Sequence, residues 1–218
     1  LDGVVAPSES VNLVSRVSGY LTSAPFKDGQ EVKAGQLLFV IEPEPYQQQL
    51  KLNQAKLAQA RAEYQRQQVL LDENATAQSS LESALSNLQQ AQANVRLAQI
   101  NLNYTAVKAP FNGVIGKRTV DVGNYVGANA GGTVLATLQR LRPIDVNFSI
   151  NERDLLRLRA SPVAQSATKA KKAGVINSKI KVQVALQGEL TPSEIGTLDF
   201  VDNSLSSETG SLLLRARF

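Results

Sequence analysis

Apolar residues between positions 45 and 103 recur at alternating steps of four and three, in two consecutive arms. Such spacing places one narrow apolar seam on each of two helices, with Gln, Asn and Ser on the remaining faces. Each arm of roughly 26 residues would be about 40 Å long. The pattern predicts an antiparallel helical hairpin with a turn at 72–78. The first seam is Tyr46, Leu50, Asn53, Leu57, Ala60, Tyr64, Gln67 and Leu71, and the second is Ala84, Leu88, Ala91, Val95, Ala98 and Leu102.

Both helices carry start signals in the sequence. Pro45 suits the first residue of the first helix, because its missing N–H costs nothing there. Ser79 is followed three residues later by Glu82, which is the spacing of a capping box. These signals predict helix starts at Pro45 and at Ser79.

Short strands flank this helical stretch, and they contain an internal repeat. Gly19 precedes Gly29 by ten residues, as Gly113 precedes Gly123, and a valine follows three residues after each later glycine. Residues 17–21 (Val-Ser-Gly-Tyr-Leu) correspond to 111–115 (Phe-Asn-Gly-Val-Ile), and 37–41 is a further buried-strand run. The repeat predicts two half-sheets that pack as one small β-sandwich, one on each side of the helices.

The last third of the chain predicts several more strands. Ile144, Val146, Phe148 and Ile150 alternate with Asp145, Asn147 and Ser149, as in a half-buried strand. A short helix at 151–158 and a polar loop at 161–174 are expected to follow. Further strands are predicted around Val182, Val184 and Leu186, at 196–201 and at 212–218, which suggests a small antiparallel β-barrel. The predicted fold class is therefore an elongated multi-domain α+β protein.

Composition removes several classes of function. The 218 residues contain no Cys, His, Met or Trp, so the usual zinc, copper and haem sites and Cys–His or Ser–His–Asp nucleophiles cannot form. The net charge is only +4, and the densest basic run, at Lys169, Lys171 and Lys172, has no aromatic neighbours. No apolar run approaches the ~20 residues of a membrane span. We therefore expect neither an enzyme, nor a cofactor or metal site, nor nucleic-acid binding.

The half-motif with paired glycines resembles a biotinyl/lipoyl carrier domain. In those carriers a modified lysine follows a Glu at the tip of the hairpin that joins the two halves. Here residues 39–42 (Phe-Val-Ile-Glu) are followed by Pro43, and the helical stretch stands where the lysine would be. The carrier function is therefore not expected.

A lipoyl-like domain that is split by a helical hairpin and followed by a β-barrel resembles the periplasmic adaptors, or membrane fusion proteins, of tripartite efflux pumps. Several motifs carry this resemblance in order along the chain, and together they look most like adaptors of resistance-nodulation-division (RND) pumps. They are 16–20 (Arg-Val-Ser-Gly-Tyr), 29–38, 101–105 (Asn-Leu-Asn-Tyr-Thr), 109–116, 143–146 (Pro-Ile-Asp-Val), 196–202, 209–211 (Thr-Gly-Ser) and 215–218 (Arg-Ala-Arg-Phe).

The resemblance implies a role and a domain plan. The role is to bridge an inner-membrane RND transporter and a TolC-type outer-membrane channel in the periplasm, as a six-membered ring that exports drugs or other toxic compounds. An N-terminal membrane anchor and a membrane-proximal domain are expected outside this chain. An adaptor of an ATP-driven (ABC) exporter or type I secretion system is the alternative. The implied domains are a lipoyl-like β-sandwich (11–43 with 104–139), a helical hairpin (45–103) and a β-barrel (1–10 with 140–218).

The resemblance also implies a channel-docking site at the hairpin tip. The family places an Arg there, a Leu four residues later and a Ser seven residues after that. Arg66 and Leu70 match, but the third position is Ala77, and Ser79 would serve only with a longer turn. Five glycines are assigned to structural turns instead: Gly19, Gly29, Gly35, Gly113 and Gly123.

Overall fold

The computed structural model describes residues 3–127, 131–151, 181–185, 194–205 and 211–218. The chain divides into two compact units: Asn12–Thr137, here called the helix-bearing unit, and Leu1–Val11 with Leu138–Phe218, here called the C-terminal unit. The elements are β1 (Gly3–Val14), β2 (Gly19–Ser23), β3 (Glu31–Val32), β4 (Leu37–Ile41), α1 (Glu44–Asp72), α2 (Gln78–Tyr104), β5 (Ala106–Lys108), β6 (Gly113–Ile115), β7 (Tyr125–Val126), β8 (Val134–Asn151), β9 (Lys181–Val184), β10 (Glu194–Leu205) and β11 (Ser211–Arg217).

Some sequence predictions lie outside the described residues. These are the short helix after Asn151, the polar loop at 161–174 with its three lysines, and the strand position of Leu186. Asn151 itself is the last residue of β8.

In the helix-bearing unit, the two copies of the glycine–valine repeat pair with each other. Strand β2 pairs with β7, with Gly19 opposite Val126, and β3 pairs with β6, with Val32 opposite Gly113. The backbone bonds follow the same exchange: Gly29 N–H donates to Ile115 O at 2.9 Å, and Gly123 N–H donates to Leu21 O at 2.8 Å. Each half therefore supplies the strand that pairs with the other.

The core of this unit is built from strands of both halves. Leu38, Phe39 and Ile41 of β4 are fully buried, as the apolar run predicts, and the Phe26 and Phe39 rings meet edge to face at 5.0 Å. Burying each large side chain contributes about 1.5–3 kcal/mol relative to leaving it exposed. The other fully buried side chains include Leu21, Ile115, Val126 and Leu135.

Three of the five predicted turn glycines adopt a conformation that favours glycine. Gly29, Gly35 and Gly123 have φ of 79°, 80° and 95°, which side chains rarely tolerate. The turn assignment is wrong for the other two, because Gly19 and Gly113 are the first residues of β2 and β6. At Gly19 the reason for glycine is close packing, since an added Cβ would lie 2.9 Å from Cγ2 of Ile41.

Both helices begin slightly earlier than the sequence signals predict. Helix α1 starts at Glu44 with Pro45 in its first turn, where a missing N–H is harmless. Helix α2 starts at Gln78, and its N-cap residue is Ala77, whose extended backbone precedes the helix. The predicted capping box at Ser79 and Glu82 is therefore wrong, because Ser79 already lies within the helix and cannot act as its N-cap.

In the C-terminal unit, antiparallel strands follow the order β8, β11, β10, β9. Ile150, Leu198, Leu212 and Leu214 form its buried cluster, with Phe148, Val182 and Val201 packed against it. Pairs such as Leu212 with Ile150 and Ala216 with Val146 set the register between β11 and β8. The alternating pattern at 144–150 therefore forms a strand, as predicted.

Asp145 departs from that alternation, because it is buried rather than exposed. Arg217 donates to both of its carboxylate oxygens, at 2.9 Å and 3.3 Å, and Asp199 binds both Arg215 and Arg217. The register between β10 and β11 shifts at Asp199, as in a β-bulge. The hydrogen bonds to Asp145 raise the pKa of the Arg217 guanidinium.

Removing Arg217 would take both Arg217 hydrogen bonds from the buried Asp145 carboxylate and leave Arg215 Nε, 3.6 Å away, as its ion-pair partner among the described residues. We expect Arg217→Ala to lower the free energy of unfolding by about 1–3 kcal/mol, because a buried charge loses its hydrogen-bonded partner. The control is Arg118→Ala. The Arg118 side chain is 40% exposed like Arg217, but its partner Asp121 is 81% exposed. An equal shift of the urea midpoint in both variants would contradict the prediction.

Candidate functional site

The helices α1 and α2 lie side by side along the predicted seams. Every predicted seam residue of both arms is buried or half-buried, so the seam prediction is confirmed. Ala84, Ala91 and Ala98 are the buried positions of α2, and their small side chains allow close approach of the helices. Asn53, one of two polar seam residues on α1, is 9% exposed, and its Nδ2 donates to Asn94 O at 3.4 Å.

The bases of both helices are fixed to the strands of the helix-bearing unit. Strand β4, which precedes α1, pairs with β5, which follows α2. Tyr46 of α1 donates its hydroxyl to Ser18 O at 2.7 Å, and the Arg16 guanidinium lies 5.1 Å from the ring centroid of Tyr104. The sequence motif at 16–20 therefore contacts the base of each helix.

Residues 73–77, here called the tip loop, join the far ends of the helices. Asn74 has φ of 55°, a conformation that Asn tolerates better than most residues. Ala75 N–H donates to Leu70 O at 2.7 Å, and Asn74 N–H donates to Leu71 O at 2.9 Å. These bonds satisfy two of the free carbonyls at the end of α1.

The four predicted docking residues flank the tip loop. Arg66 and Leu70 lie on the same side of α1, four residues apart; the Arg66 side chain is 65% exposed, and Leu70 is half-buried. Ala77 is the exposed N-cap of α2, and Ser79 is exposed in its first turn, where its carbonyl accepts from the Ser83 hydroxyl.

A chain of side-chain hydrogen bonds runs from the tip loop to Arg66. The Thr76 hydroxyl donates to Gln67 Oε1 at 3.0 Å, and Gln67 Nε2 donates to Glu63 Oε1 at 2.8 Å. The other carboxylate oxygen of Glu63 binds Arg66 Nη1 at 2.8 Å. Sequence reasoning missed these three partners. The spacing of Glu63 to Arg66 and to Gln67 was a usable signal, whereas the contact with Thr76 exists only after the chain turns.

Glu63 and Arg66 also line a groove between the two helices. Polar side chains from both helices form its walls, including Lys56 of α1 and Asn87 and Gln90 of α2, while Ala60, Ala84 and Ala91 also line it. A second groove is lined by larger side chains, including Leu57, Arg61, Tyr64 and Leu88. The groove that contains Arg66 is lined by alanines and polar side chains, whereas leucine and tyrosine side chains join the polar ones in the second groove.

Among the described residues, no group of three or more acidic side chains is placed to hold a metal ion. In the same part of the chain, no helix is both long and apolar enough to cross a membrane.

Two family models match the chain in succession. Residues 9–138 match the barrel-sandwich hybrid domain of RND membrane fusion proteins (MFPs), and residues 143–218 match the β-barrel domain of RND MFPs. The chain belongs to the RND membrane fusion proteins. The first match includes α1, α2 and the strands on either side of them.

Two curated bacterial proteins are similar in sequence to this membrane fusion protein. The efflux pump periplasmic linker BepF of Brucella suis is 35% identical over 230 residues, and the multidrug resistance protein MdtA of Erwinia amylovora is 34% identical over 231 residues. In both cases the alignment covers 99% of this chain but 53% of the relative. The chain thus spans about half the length of the curated relatives it matches.

Solved structures share the fold at lower identity. A MacA–MexA chimeric protein, containing the Pseudomonas aeruginosa MexA α-hairpin domain, superposes with a TM-score of 0.75 at 24% identity, covering 99% of this chain and 72% of that one. An efflux transporter described as putative, from Bacteroides eggerthii, gives a TM-score of 0.71 at 23% identity, covering 99% and 60% of the two chains.

Proposed function

We propose that this chain is part of a periplasmic adaptor that bridges an inner-membrane RND transporter and a TolC-type outer-membrane channel, for the export of drugs or other toxic compounds. The observation that carries the proposal is the succession of two RND membrane fusion protein domains along one chain. Both matching family models describe domains of RND membrane fusion proteins. They therefore favour this function over that of an adaptor for an ABC exporter or type I secretion system.

The domain plan belongs to the same proposal. A lipoyl-like β-sandwich would comprise 11–43 and 104–139, with the antiparallel hairpin 45–103 inserted between its halves and a β-barrel domain formed by 1–10 and 140–218. The reciprocal pairing of β2 with β7 and of β3 with β6 supports a sandwich made of two exchanged halves. The β4–β5 pair at the helix bases supports an insertion whose two ends leave the sandwich together.

In this proposal the tip of the hairpin docks the channel. Arg66 would donate hydrogen bonds to acceptors on the channel's helical ends, and Leu70 would supply an apolar contact, with Ala77 and Ser79 on the facing helix. The exposure of the Arg66 guanidinium and its position two turns from the tip loop support this role. The adaptor would act without catalysis, as a ring of six copies held at the inner membrane by an N-terminal anchor.

The proposal is tested with the full-length protein in its own organism. Deleting its gene should lower resistance to pump substrates, and the full-length gene should restore it. Affinity purification of the tagged protein after cross-linking should recover both an RND transporter and an outer-membrane channel. Recovery of an ABC transporter in place of the RND transporter would support the alternative, and unchanged resistance with neither partner would overturn the adaptor function.

A further inference from the structure

We propose that Glu63 is a positioning residue that holds the Arg66 guanidinium ready for docking, and that Gln67 and Thr76 link this position to the tip loop. The inference rests on the proposed function and deepens it. It is carried by the unbroken series of contacts from the Thr76 hydroxyl through Gln67 and Glu63 to Arg66. The partner it fits is a helical end that presents carbonyl or carboxylate oxygens.

Both oxygens of the Glu63 carboxylate are engaged by neighbouring side chains. One oxygen accepts from Gln67 Nε2 at 2.8 Å, and the other lies 2.8 Å from Arg66 Nη1. With both oxygens engaged, the carboxylate has a defined orientation, and the guanidinium takes its direction from it. The Glu63 side chain is 41% exposed against 65% for Arg66, so the acid lies deeper in the groove and the arginine projects from it.

Arg66 keeps N–H donors that its contact with Glu63 does not use. A guanidinium has five N–H donors, and the ion pair with Glu63 is made through Nη1. The ion pair with Glu63 therefore orients the Arg66 side chain and leaves its other N–H donors available to a binding partner. Ordering a long side chain is a cost of association, so an arginine that is already oriented binds more tightly than a freely rotating one.

The tip loop belongs to the same series of contacts through Thr76. Gln67 Oε1 accepts from Thr76, which is separated from it by nine residues and lies beyond the end of α1. A displaced tip loop would release Gln67 and, through it, one oxygen of Glu63. The state of the loop and the orientation of Arg66 are therefore coupled through three exposed or half-exposed bonds, each weak enough to be exchanged on docking.

The test is the affinity of the full-length adaptor for the purified TolC-type channel of its own organism, measured in detergent. We expect Glu63→Ala to weaken binding about three- to tenfold, the range set by losing one ordered long side chain. The same substitution in an Arg66→Ala background should have no further effect, because Glu63 acts only through Arg66. Thr76→Val should weaken binding in the same direction by a smaller factor, and Thr76→Ser should restore it.

Glu82→Ala is the matched control. Glu82 is an exposed glutamate on α2 that accepts from Gln78 Nε2, so its loss removes the same charge from the helical pair. If Glu82→Ala and Glu63→Ala weakened channel binding equally, the loss of one negative charge would explain the effect. That result would overturn the inference. Tighter binding by Glu63→Ala would also overturn it, since Glu63 would then compete with the channel for Arg66.

The outcome separates this inference from the proposed function. If Arg66→Ala weakens binding but Glu63→Ala does not, the docking role of Arg66 stands and the positioning role of Glu63 is wrong. If the wild-type adaptor binds the channel and neither variant changes the affinity, the docking site lies elsewhere. The docking role of Arg66 and the positioning role of Glu63 are then both wrong.

Discussion

Replacing Gly132 by alanine is expected to lower the free energy of unfolding by about 3 kcal/mol, the sum of a left-handed backbone cost and an overpacking cost. Gly132 has φ of 72°, and a Cβ built on it would lie 2.6 Å from the backbone oxygen of Ser15. Ser15 is buried and donates its N–H to Thr133 O at 2.9 Å, so the obstructing backbone is itself held in place. In a chain of this size the melting temperature should fall by about 6–12 °C.

Gly131→Ala is the control, because the chain offers a neighbouring glycine that also has positive φ. Gly131 has φ of 97°, and no atom of the described residues lies within 4 Å of an added Cβ. Its substitution should show the backbone cost alone, about 1–2 kcal/mol. Thermal unfolding of both variants, followed by circular dichroism, measures the difference. Equal melting temperatures would show that the backbone moves away from Ser15 without cost.

Under the proposed function, Arg66→Asp is expected to weaken binding of the full-length protein to an outer-membrane channel at least tenfold and to abolish pump-dependent drug resistance. The substitution removes all guanidinium donors and places a second acid three residues after Glu63, where the two like charges lie on neighbouring positions of the helix. Loss of a central arginine at an interface commonly costs about 2 kcal/mol or more. Co-purification and drug-resistance assays measure the two effects.

Arg61→Asp is the matched control for charge. Arg61 is exposed on the same helix but lines the second groove, and five residues of helix place it about 140° around the axis from Arg66. It should leave channel binding within about twofold of wild type, and circular dichroism should show both variants to be folded. Unchanged binding and resistance in Arg66→Asp would remove Arg66 from the docking site.

The helical pair was predictable in detail because its signal is local. Seam residues such as Leu88 and Val95 recur every three or four positions, and the same periodicity decides which face is buried in the structure. The end of α1 at Asp72 was also predictable from the sequence. The start of α2 was not predictable, because Ser79 and Glu82 have the spacing of a capping box. In the structure Ala77 occupies the N-cap position instead.

The long-range polar contacts were beyond sequence reasoning. Asp145 sits in an alternating strand pattern that predicts exposure, and it is buried because β11 brings Arg217 directly opposite it. Thr76 and Gln67 are likewise joined by the turn between the helices. Hydrogen bonds of this kind depend on which side chains meet after folding, so no local sequence pattern predicts them.

The amino-acid sequence by itself determined the two helices with their seams, the strands beside them, and a glycine–valine repeat that marks two related halves of a sheet. It also carried the motifs that mark an RND membrane fusion protein. Only the tertiary structure decided which strands of the two halves pair with each other, that Asp145 is buried, and that Thr76 contacts Gln67. The physical reason is range: periodicity and turn chemistry act within a few residues, whereas strand exchange and side-chain networks join residues that are distant along the chain.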